Sequence, residues 1–289
     1  IVMSGIKKGI EKYSKVMMPF LFLMVVILMI RSITLPGAEK GISFLVKPDF
    51  SKITTQAVLA ALGQAFFSLS LGMGCMITYG SYIPRRENLN KLAFTTAMSD
   101  TLFAILAGLA IMPAVFSFGI SPQEGPGLVF IVLPRIFAQI PLGNIFAVMF
   151  YLILFIAAIS SAISLLEVVT AYITERLKMK RKAAVAIISA LVAVCASFSS
   201  LSQGVMQDVK ILGKTIFDFF DYLSANILLP LGGLSIVLFV GWYLKKTDIY
   251  DEFTNQGTHK GTLFRVYYFL IRYVAPIAIA AIFVDLIVR

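Results

Sequence analysis

Three short groups of residues in this 289-residue chain carry oxygen atoms into otherwise apolar surroundings. The first is Phe67-Ser68-Leu69-Ser70-Leu71-Gly72-Met73-Gly74, in which two hydroxyls and two glycines share eight positions. The second is Ser99-Asp100-Thr101, whose aspartate is the only acid between residues 92 and 118. The third is Ala157-Ala158-Ile159-Ser160-Ser161-Ala162, followed by Ser164 and by Glu167, which lies seven residues, two helical turns, beyond Ser160 and shares its face. Hydroxyl, carbonyl and carboxylate oxygens are the donors that small hard cations take.

Catalysis finds little to use here. The only histidine, His259, lies in the polar stretch 248–261, so there is no HExxH pair for zinc, and no phosphate-binding glycine loop occurs. Ser160 and Ser161 have no histidine nearby to activate them as nucleophiles. Cys75 and Cys195 are too few for a disulfide scaffold or a cysteine-rich metal site. The chain reads as a non-enzyme.

The elements that position these groups follow from composition. Charged residues are 14% of the chain and mean hydropathy is +0.90, where an ordinary soluble domain has about 25% charged residues. An all-α polytopic membrane protein accounts for both values. The net charge of +10 does not point to nucleic acid, because the basic residues fall in short clusters between apolar runs, as loops facing an anionic membrane surface do. A helix needs about 20 residues to cross the hydrocarbon layer. Apolar stretches of about that length predict seven spans, at residues 16–35, 57–83, 92–118, 144–173, 183–198, 219–244 and 266–288. The run 128–140 is too short to span and is broken by Pro134, so it reads as a re-entrant or extracellular hairpin capping the bundle.

Seven spans must alternate sides. Lys and Arg in 7–15, 85–91, 176–182 and 245–265 number sixteen, against eight on the other side (Arg31, Lys40, Lys47, Lys52, Arg135, Lys210, Lys214 and Arg289), with Arg272 inside the last span. The positive-inside rule then makes the first residue cytoplasmic and the last extracytoplasmic. The opening Ile1-Val2-Met3-Ser4 leads into a basic amphipathic stretch and not a signal peptide, which reads as a fragment of a longer chain. Few basic residues in the middle spans disfavour a voltage sensor.

The second predicted span is 27 residues, about 40 Å as one helix, and carries both glycines near its middle. Two readings remain open. The helix unwinds at Ser68–Gly74, as membrane helices do where they line a cavity, or the glycines serve close helix packing of the Gly-xxx-Gly kind. Asp100 lies some nine residues from the basic loop at Lys91, near the midplane, where a carboxylate is costly unless paired, bound to a cation, or held neutral. Serines such as Ser160 and Ser161 either serve a ligand or bond their own i−4 carbonyls.

The stretch Gly63-Gln64-Ala65-Phe66-Phe67-Ser68-Leu69-Ser70-Leu71-Gly72-Met73-Gly74, with Ile77-Thr78-Tyr79-Gly80-Ser81-Tyr82, resembles the broken sixth helix of the neurotransmitter:sodium symporters. Phe155-Ile156-Ala157-Ala158-Ile159-Ser160-Ser161 resembles the family's eighth helix, and Gly9-Ile10-Glu11-Lys12 with Met18-Pro19 the start of its fifth. The resemblance implies a bacterial sodium-dependent amino-acid transporter from its fifth helix onward, with a five-plus-five inverted-repeat fold whose first four helices are absent from this sequence. Residues 1–55 then hold the last helix of the first repeat and an extracellular loop, 56–246 the second repeat, and 247–289 a cytoplasmic loop and one extra helix.

Carried over by position, the resemblance implies sodium ligands at Ser68 and Asp100 in one site and at Ala157, Ser160 and Ser161 in a second. Each site is completed by the absent first helix. It implies substrate contacts at Phe67, Ser70, Met73, Ser161 and Leu165, extracellular gate residues at Gln64 and Asp221, and cytoplasmic gate residues at Tyr82 and Glu175. Asp100 stands where many relatives have Asn, which implies chloride independence. Met73 replaces the Phe of some relatives and leaves room for a hydrophobic or aromatic amino acid. The expected function is sodium-coupled symport by alternating access across the bacterial cytoplasmic membrane, with amino acid, sodium, lipid and the missing N-terminal helices of the same protein as partners, and with no nucleic acid and no chloride. The competing reading is a receptor-like or structural membrane protein of the same fold that moves nothing; a channel fits the broken helix less well.

Overall fold

The computed structural model describes residues 1–47, 49–84, 87–119, 128–258 and 261–288. Arg85, Arg86, His259, Lys260 and Arg289, which entered the reading of charge and chemistry above, lie outside them. Among the described residues six helical stretches are long and apolar enough to cross a membrane: Ile6–Ile33, Leu89–Ser117, Gly143–Arg176, Arg181–Leu201, Ile216–Tyr243 and Phe264–Ile287. Only 11–28% of the most apolar part of each is buried, so most of their apolar side chains face outward, as a multi-pass membrane protein requires. The second predicted span, 57–83, is divided into two helices, α3 (Thr55–Ser68) and α4 (Cys75–Tyr82).

The other helices are α1 (Lys12–Ile33), α2 (Ala38–Val46), α5 (Leu89–Ser117), α6 (Leu133–Phe137), α7 (Gly143–Arg176), α8 (Arg181–Leu201), α9 (Ile216–Asp221), α10 (Leu229–Leu238), α11 (Lys246–Phe253), α12 (Phe264–Phe269) and α13 (Ala275–Val288). Wider, π-type turns at Tyr222–Leu228, Phe239–Tyr243 and Leu270–Val274 join α9 to α10, extend α10 and join α12 to α13. The chain forms two compact units, Ile1–Lys52 with Met98–Ile163, and Ile53–Ala97 with Ser164–Arg289.

In the first unit, Leu21, Met24, Val25 and Leu28 recur at helical spacing on α1 and form one face of a core. Val115, Leu133, Ile136, Phe150 and Ile153 complete it. The apolar run from Leu128 packs into this core through Leu133 and Ile136. Pro134 does not interrupt it, because it occupies the first turn of α6, where a missing N–H costs nothing. Pro113 inside α5 disturbs the hydrogen-bond ladder there, and the Ala114 N–H donates to Ser32 Oγ at 3.0 Å. Gly41 of α2 lies so close to α5 that a Cβ would stand 2.5 Å from Pro113 Cα.

In the second unit a two-stranded hairpin, β1 (Lys210–Ile211) and β2 (Lys214–Thr215), turns through Leu212 and Gly213, both at positive φ. Successive positive φ values match the twist of a tight hairpin. Thr215 then caps α9 by accepting the Asp218 N–H at 3.2 Å. Helix α10 packs on α13, and α13 also packs on α3.

The two helical glycines 41 and 80 separate packing from propensity. Gly41→Ala is expected to destabilise the protein by about 1–3 kcal/mol through overpacking. Gly80→Ala, where a Cβ meets nothing within 4 Å, is expected to stabilise it by up to about 1 kcal/mol. Thermal unfolding of the purified variants measures both, and equal effects would remove the packing argument.

Candidate binding site at the broken helix

Helix α3 ends because its last turn closes on itself. The Leu71 N–H donates to the Phe66 carbonyl and the Ser70 N–H to the Phe67 carbonyl, both at 3.0 Å. This is a Schellman cap, in which the residue one past the cap is left-handed. Here that residue is Ser70, at φ 54°. Gly72 and Gly74 follow at φ 83° and 78°, and α4 starts with Gly74 as its N-cap. Residues 69–74 are therefore not helical, as the over-long span predicts.

The segment also packs closely, but as unwound backbone and not helix on helix, so the unwinding reading holds and the Gly-xxx-Gly helix-packing reading does not. A Cβ on Gly72 would strike the Leu229 carbonyl oxygen, and one on Gly232 would strike the Gly72 carbonyl oxygen. A Cβ on Gly233 would collide with the Phe66 ring. The break is thus seated backbone to backbone on the first turns of α10. An apolar recess of about 330 Å³ lies beside it, between α3, α4, α10 and α13.

Helix α4 is fastened to the C-terminal half of α7. The Tyr79 hydroxyl donates to Ser164 Oγ at 2.9 Å, and the Tyr82 hydroxyl donates to Glu167 Oε1 at 2.8 Å. Both pairs are three residues apart on their own helices, so one face of α4 lies along one face of α7. Glu167 is fully buried. Arg181, at the start of α8, grips it with two nitrogens, Nη1 to Oε1 at 3.1 Å and Nη2 to Oε2. One turn further along α7, Thr170 Oγ1 is buried with no hydrogen-bond partner among the described residues.

Sequence reasoning placed Glu167 only on the face of Ser160 and counted Arg181 among loop charges. The signal was available: a carboxylate at that depth needs a cation, and the basic run 176–182 is the nearest in the chain.

Of the residues expected to bind sodium, Ser68 lies in the second unit, exposed, with its hydroxyl 3.4 Å from the Ala65 carbonyl. Asp100, Ala157, Ser160 and Ser161 lie in the first unit. Asp100 is half-buried on α5. Ser160 Oγ donates to the Ala157 carbonyl at 2.8 Å, which sets two oxygens side by side on α7. Ser161 is exposed next to them. Hydroxyl and carbonyl oxygens are the donor types that small hard cations take. Among the described residues no three His, Cys, Asp or Glu side chains gather in one place.

The expected substrate contacts Phe67, Ser70 and Met73 line the end of α3 and the break, and Leu165 lies on α7, all in the second unit. Gln64 and Phe67 border a recess of about 290 Å³ that also meets Asn226. Asn226 borders a polar recess of about 480 Å³ with Asp221, Lys210, Lys214 and Asp218. The two expected extracellular gate residues thus border neighbouring recesses that share Asn226. Glu175 is exposed near the end of α7, and Tyr82 is bonded to Glu167.

The geometry meets known proteins at this point. A model of the sodium:neurotransmitter symporter family matches residues 1–289. An uncharacterized sodium-dependent transporter of Bacillus subtilis (strain 168) is 41% identical over 287 residues, which is 99% of this chain and 64% of that protein. One from Haemophilus influenzae is 42% identical over 288 residues, 99% of this chain and 62% of that protein. The crystal structure of MhsT in complex with L-phenylalanine superposes with a TM-score of 0.87 at 44% identity, covering 99% of this chain and 65% of that one. The chain therefore spans less than two thirds of the length of these relatives. Within that span, the match over every residue and the shared fold make this chain a member of the sodium:neurotransmitter symporter family.

Proposed function

We propose that the protein to which this chain belongs couples inward sodium movement to the uptake of an amino acid with a large apolar side chain. The observation that carries this reading is the break between Ser68 and Cys75 in a chain of this family. A membrane helix exposes unpaired backbone groups at mid-depth only where they line a cavity for ions or substrate. The relatives named for sodium dependence support the coupling ion, and the phenylalanine bound to MhsT supports the substrate class.

In this reading residues 1–55, 56–246 and 247–289 are the end of a first repeat, an inverted second repeat, and an added loop and helix. Ser68 and Asp100 hold one sodium ion; the Ala157 carbonyl, Ser160 and Ser161 hold a second. Residues from the part of the relatives that this chain does not span complete both sites. Phe67 closes over the amino acid, Ser70 meets its polar end, and Met73, Ser161 and Leu165 wall its side chain. Gln64 and Asp221 gate the extracellular side, and Tyr82 and Glu175 the cytoplasmic side. Sodium favours the outward-open form, the amino acid completes the site, and rocking of one bundle against the other releases both inside. The clustering of basic residues supports a cytoplasmic first residue, and the bacterial relatives support a bacterial cytoplasmic membrane.

The charge balance in the first sodium site supports chloride independence. A sodium ion with only a substrate carboxylate beside it leaves net positive charge once the second sodium binds, and in low dielectric that excess is costly. The fixed carboxylate of Asp100 supplies the counter-charge without a mobile anion.

Uptake into proteoliposomes by the full-length protein is expected to require sodium and to persist when chloride is replaced by gluconate. Asp100→Asn should abolish uptake or make it respond to chloride. Wild-type uptake that stops in gluconate overturns the assignment of Asp100, and no sodium-dependent uptake of any amino acid overturns the transport reading in favour of a non-transporting membrane protein.

The pocket offers no charge to a charged side chain, which would be buried without a partner. Leu, Tyr, Trp or Phe should therefore compete best for labelled substrate. Met73→Phe should move preference toward smaller side chains, on a scale of about 1–3 kcal/mol per methylene. Competition won by Asp, Glu or Lys would show the pocket to be wrongly assigned.

Arg181→Ala strands the buried Glu167 carboxylate and should cost about 3–5 kcal/mol of stability. Tyr82→Phe removes one hydrogen bond to a charged group and should cost about 1–3 kcal/mol. Thermal unfolding in detergent with and without substrate reads both, and an Arg181→Ala protein as stable as wild type would deny the pair its role.

A further inference from the structure

A second concentration of charge in the apolar part of the molecule has no place in the transport site. Arg272 lies in the turn between α12 and α13, inside the span Phe264–Ile287. Its guanidinium carbon stands 4.6 Å from the centre of the Trp242 ring, 5.7 Å from that of Tyr268 and 5.6 Å from that of Tyr273, all within cation–π range. Trp242 Nε1 donates to the Arg272 carbonyl at 3.0 Å, which fixes the indole against the turn. Gly241 makes the approach possible, since a Cβ there would stand 3.0 Å from Arg272 Cα.

A second cation joins the stack. Lys246 Nζ lies 5.3 Å from the centre of the same Tyr268 ring that Arg272 faces. Among the described residues neither Lys246 nor Arg272 forms an ion pair, and the Arg272 side chain makes one hydrogen bond, from Nη1 to the Tyr268 hydroxyl at 3.0 Å. Its Nε is buried with no acceptor among the described residues. Two like charges against one ring raise the positive potential there, and an anion beside them offsets it.

The position says which anion. The span Ile216–Tyr243 ends three residues before Lys246, and Gly241 brings Arg272 level with the last turn of that span. Both cations therefore sit at one edge of the apolar layer. Trp242 and Tyr243 stand 57% and 78% exposed beside them, as interfacial aromatics do at headgroup level. Basic pockets between transmembrane helices at this depth take anionic headgroups, and guanidinium pairs with phosphate through parallel N–H bonds. From this geometry we infer that the Trp242–Lys246–Tyr268–Arg272 cluster is a binding site for the phosphodiester headgroup of an anionic membrane lipid, with the aromatic rings against its glycerol and upper acyl segments.

Native mass spectrometry of the full-length protein, released from vesicles of phosphatidylglycerol mixed with phosphatidylcholine, tests this directly. Wild type is expected to retain phosphatidylglycerol in preference to phosphatidylcholine. Arg272→Gln and Lys246→Gln should each reduce that retention about fivefold, the change for one basic charge near an anionic surface. Lys246 is exposed, so its variant keeps the test open if Arg272→Gln does not fold. Lys178→Gln, in a different basic loop, should leave retention unchanged. Unchanged retention in Lys246→Gln, an equal loss in Lys178→Gln, or no lipid on the wild type because another segment of the full-length protein covers the cluster would each overturn the assignment.

Discussion

A polypeptide inside hydrocarbon has no water to satisfy its backbone, and the interruption between α3 and α4 is arranged around that constraint. The end of α3 meets it with two hydrogen bonds of its own, from Ser70 and Leu71 back to Phe67 and Phe66. The remaining backbone is pressed against α10, where Gly72, Gly232 and Gly233 leave no room for side chains. An unbroken helix would need neither device. The glycines weaken a helix by about 1 kcal/mol each, and the same lack of side chains lets the unwound segment lie close to its neighbour.

The break gives the two halves of one span different neighbours. Helix α3 packs on α13, while α4 is tied to α7 by Tyr79 and Tyr82. Through Glu167 the tie extends to Arg181 on α8. A fully buried carboxylate held by a guanidinium and a phenol contributes little net stability, because desolvation offsets most of the attraction. What it does fix is partner and register: only one placement of α4 along α7 lets both hydroxyls reach their acceptors. A continuous helix would force the α3 contacts and the α4 contacts to move as one body. Separated by a non-helical segment, the two halves no longer form one rigid rod, and in the reading proposed here alternating access uses that separation.

Much of this was legible in the sequence, for identifiable reasons. Long apolar runs bounded by charge place six continuous helices within a few residues of their observed ends, apart from the first, which begins at Ile6 because the basic stretch before Val16 is helical as well. The excess length of residues 57–83 and its glycines marked the break. The seat of that break was not legible, since nothing in the local pattern links Gly72 to Gly232 some 160 residues later. Pro134 read as an interruption because a proline's effect depends on whether it falls in the first turn or later, and the start of α6 leaves no strong sequence mark. Glu167 with Arg181, and Arg272 with its aromatic collar, were visible as charges near apolar runs, but which charge meets which ring or acid is decided by helix rotation and tertiary packing. That Ser68 shares a site with Asp100 and Ser160 is an expectation from family resemblance alone, since these residues belong to two separate units of the chain.

Ser70 separates what folding asks from what the site asks. It holds a left-handed conformation, at φ 54°, in the position of a helix cap that glycine occupies without steric cost. A residue with a Cβ gives up roughly 1–2 kcal/mol there. Gly72 and Gly74, two and four residues on, show that glycine is used freely in this segment where the backbone needs it. The serine therefore is not the choice that most stabilises the cap. The strain alone assigns no use, since Leu212 holds a similar φ in its hairpin turn; in the reading proposed here Ser70 supplies a hydroxyl at the point where the helix opens, facing the polar end of the transported amino acid. The same logic separates Ser70 from Ser160, whose hydroxyl is bonded to the Ala157 carbonyl in an unstrained helix and which the fold alone tolerates without cost.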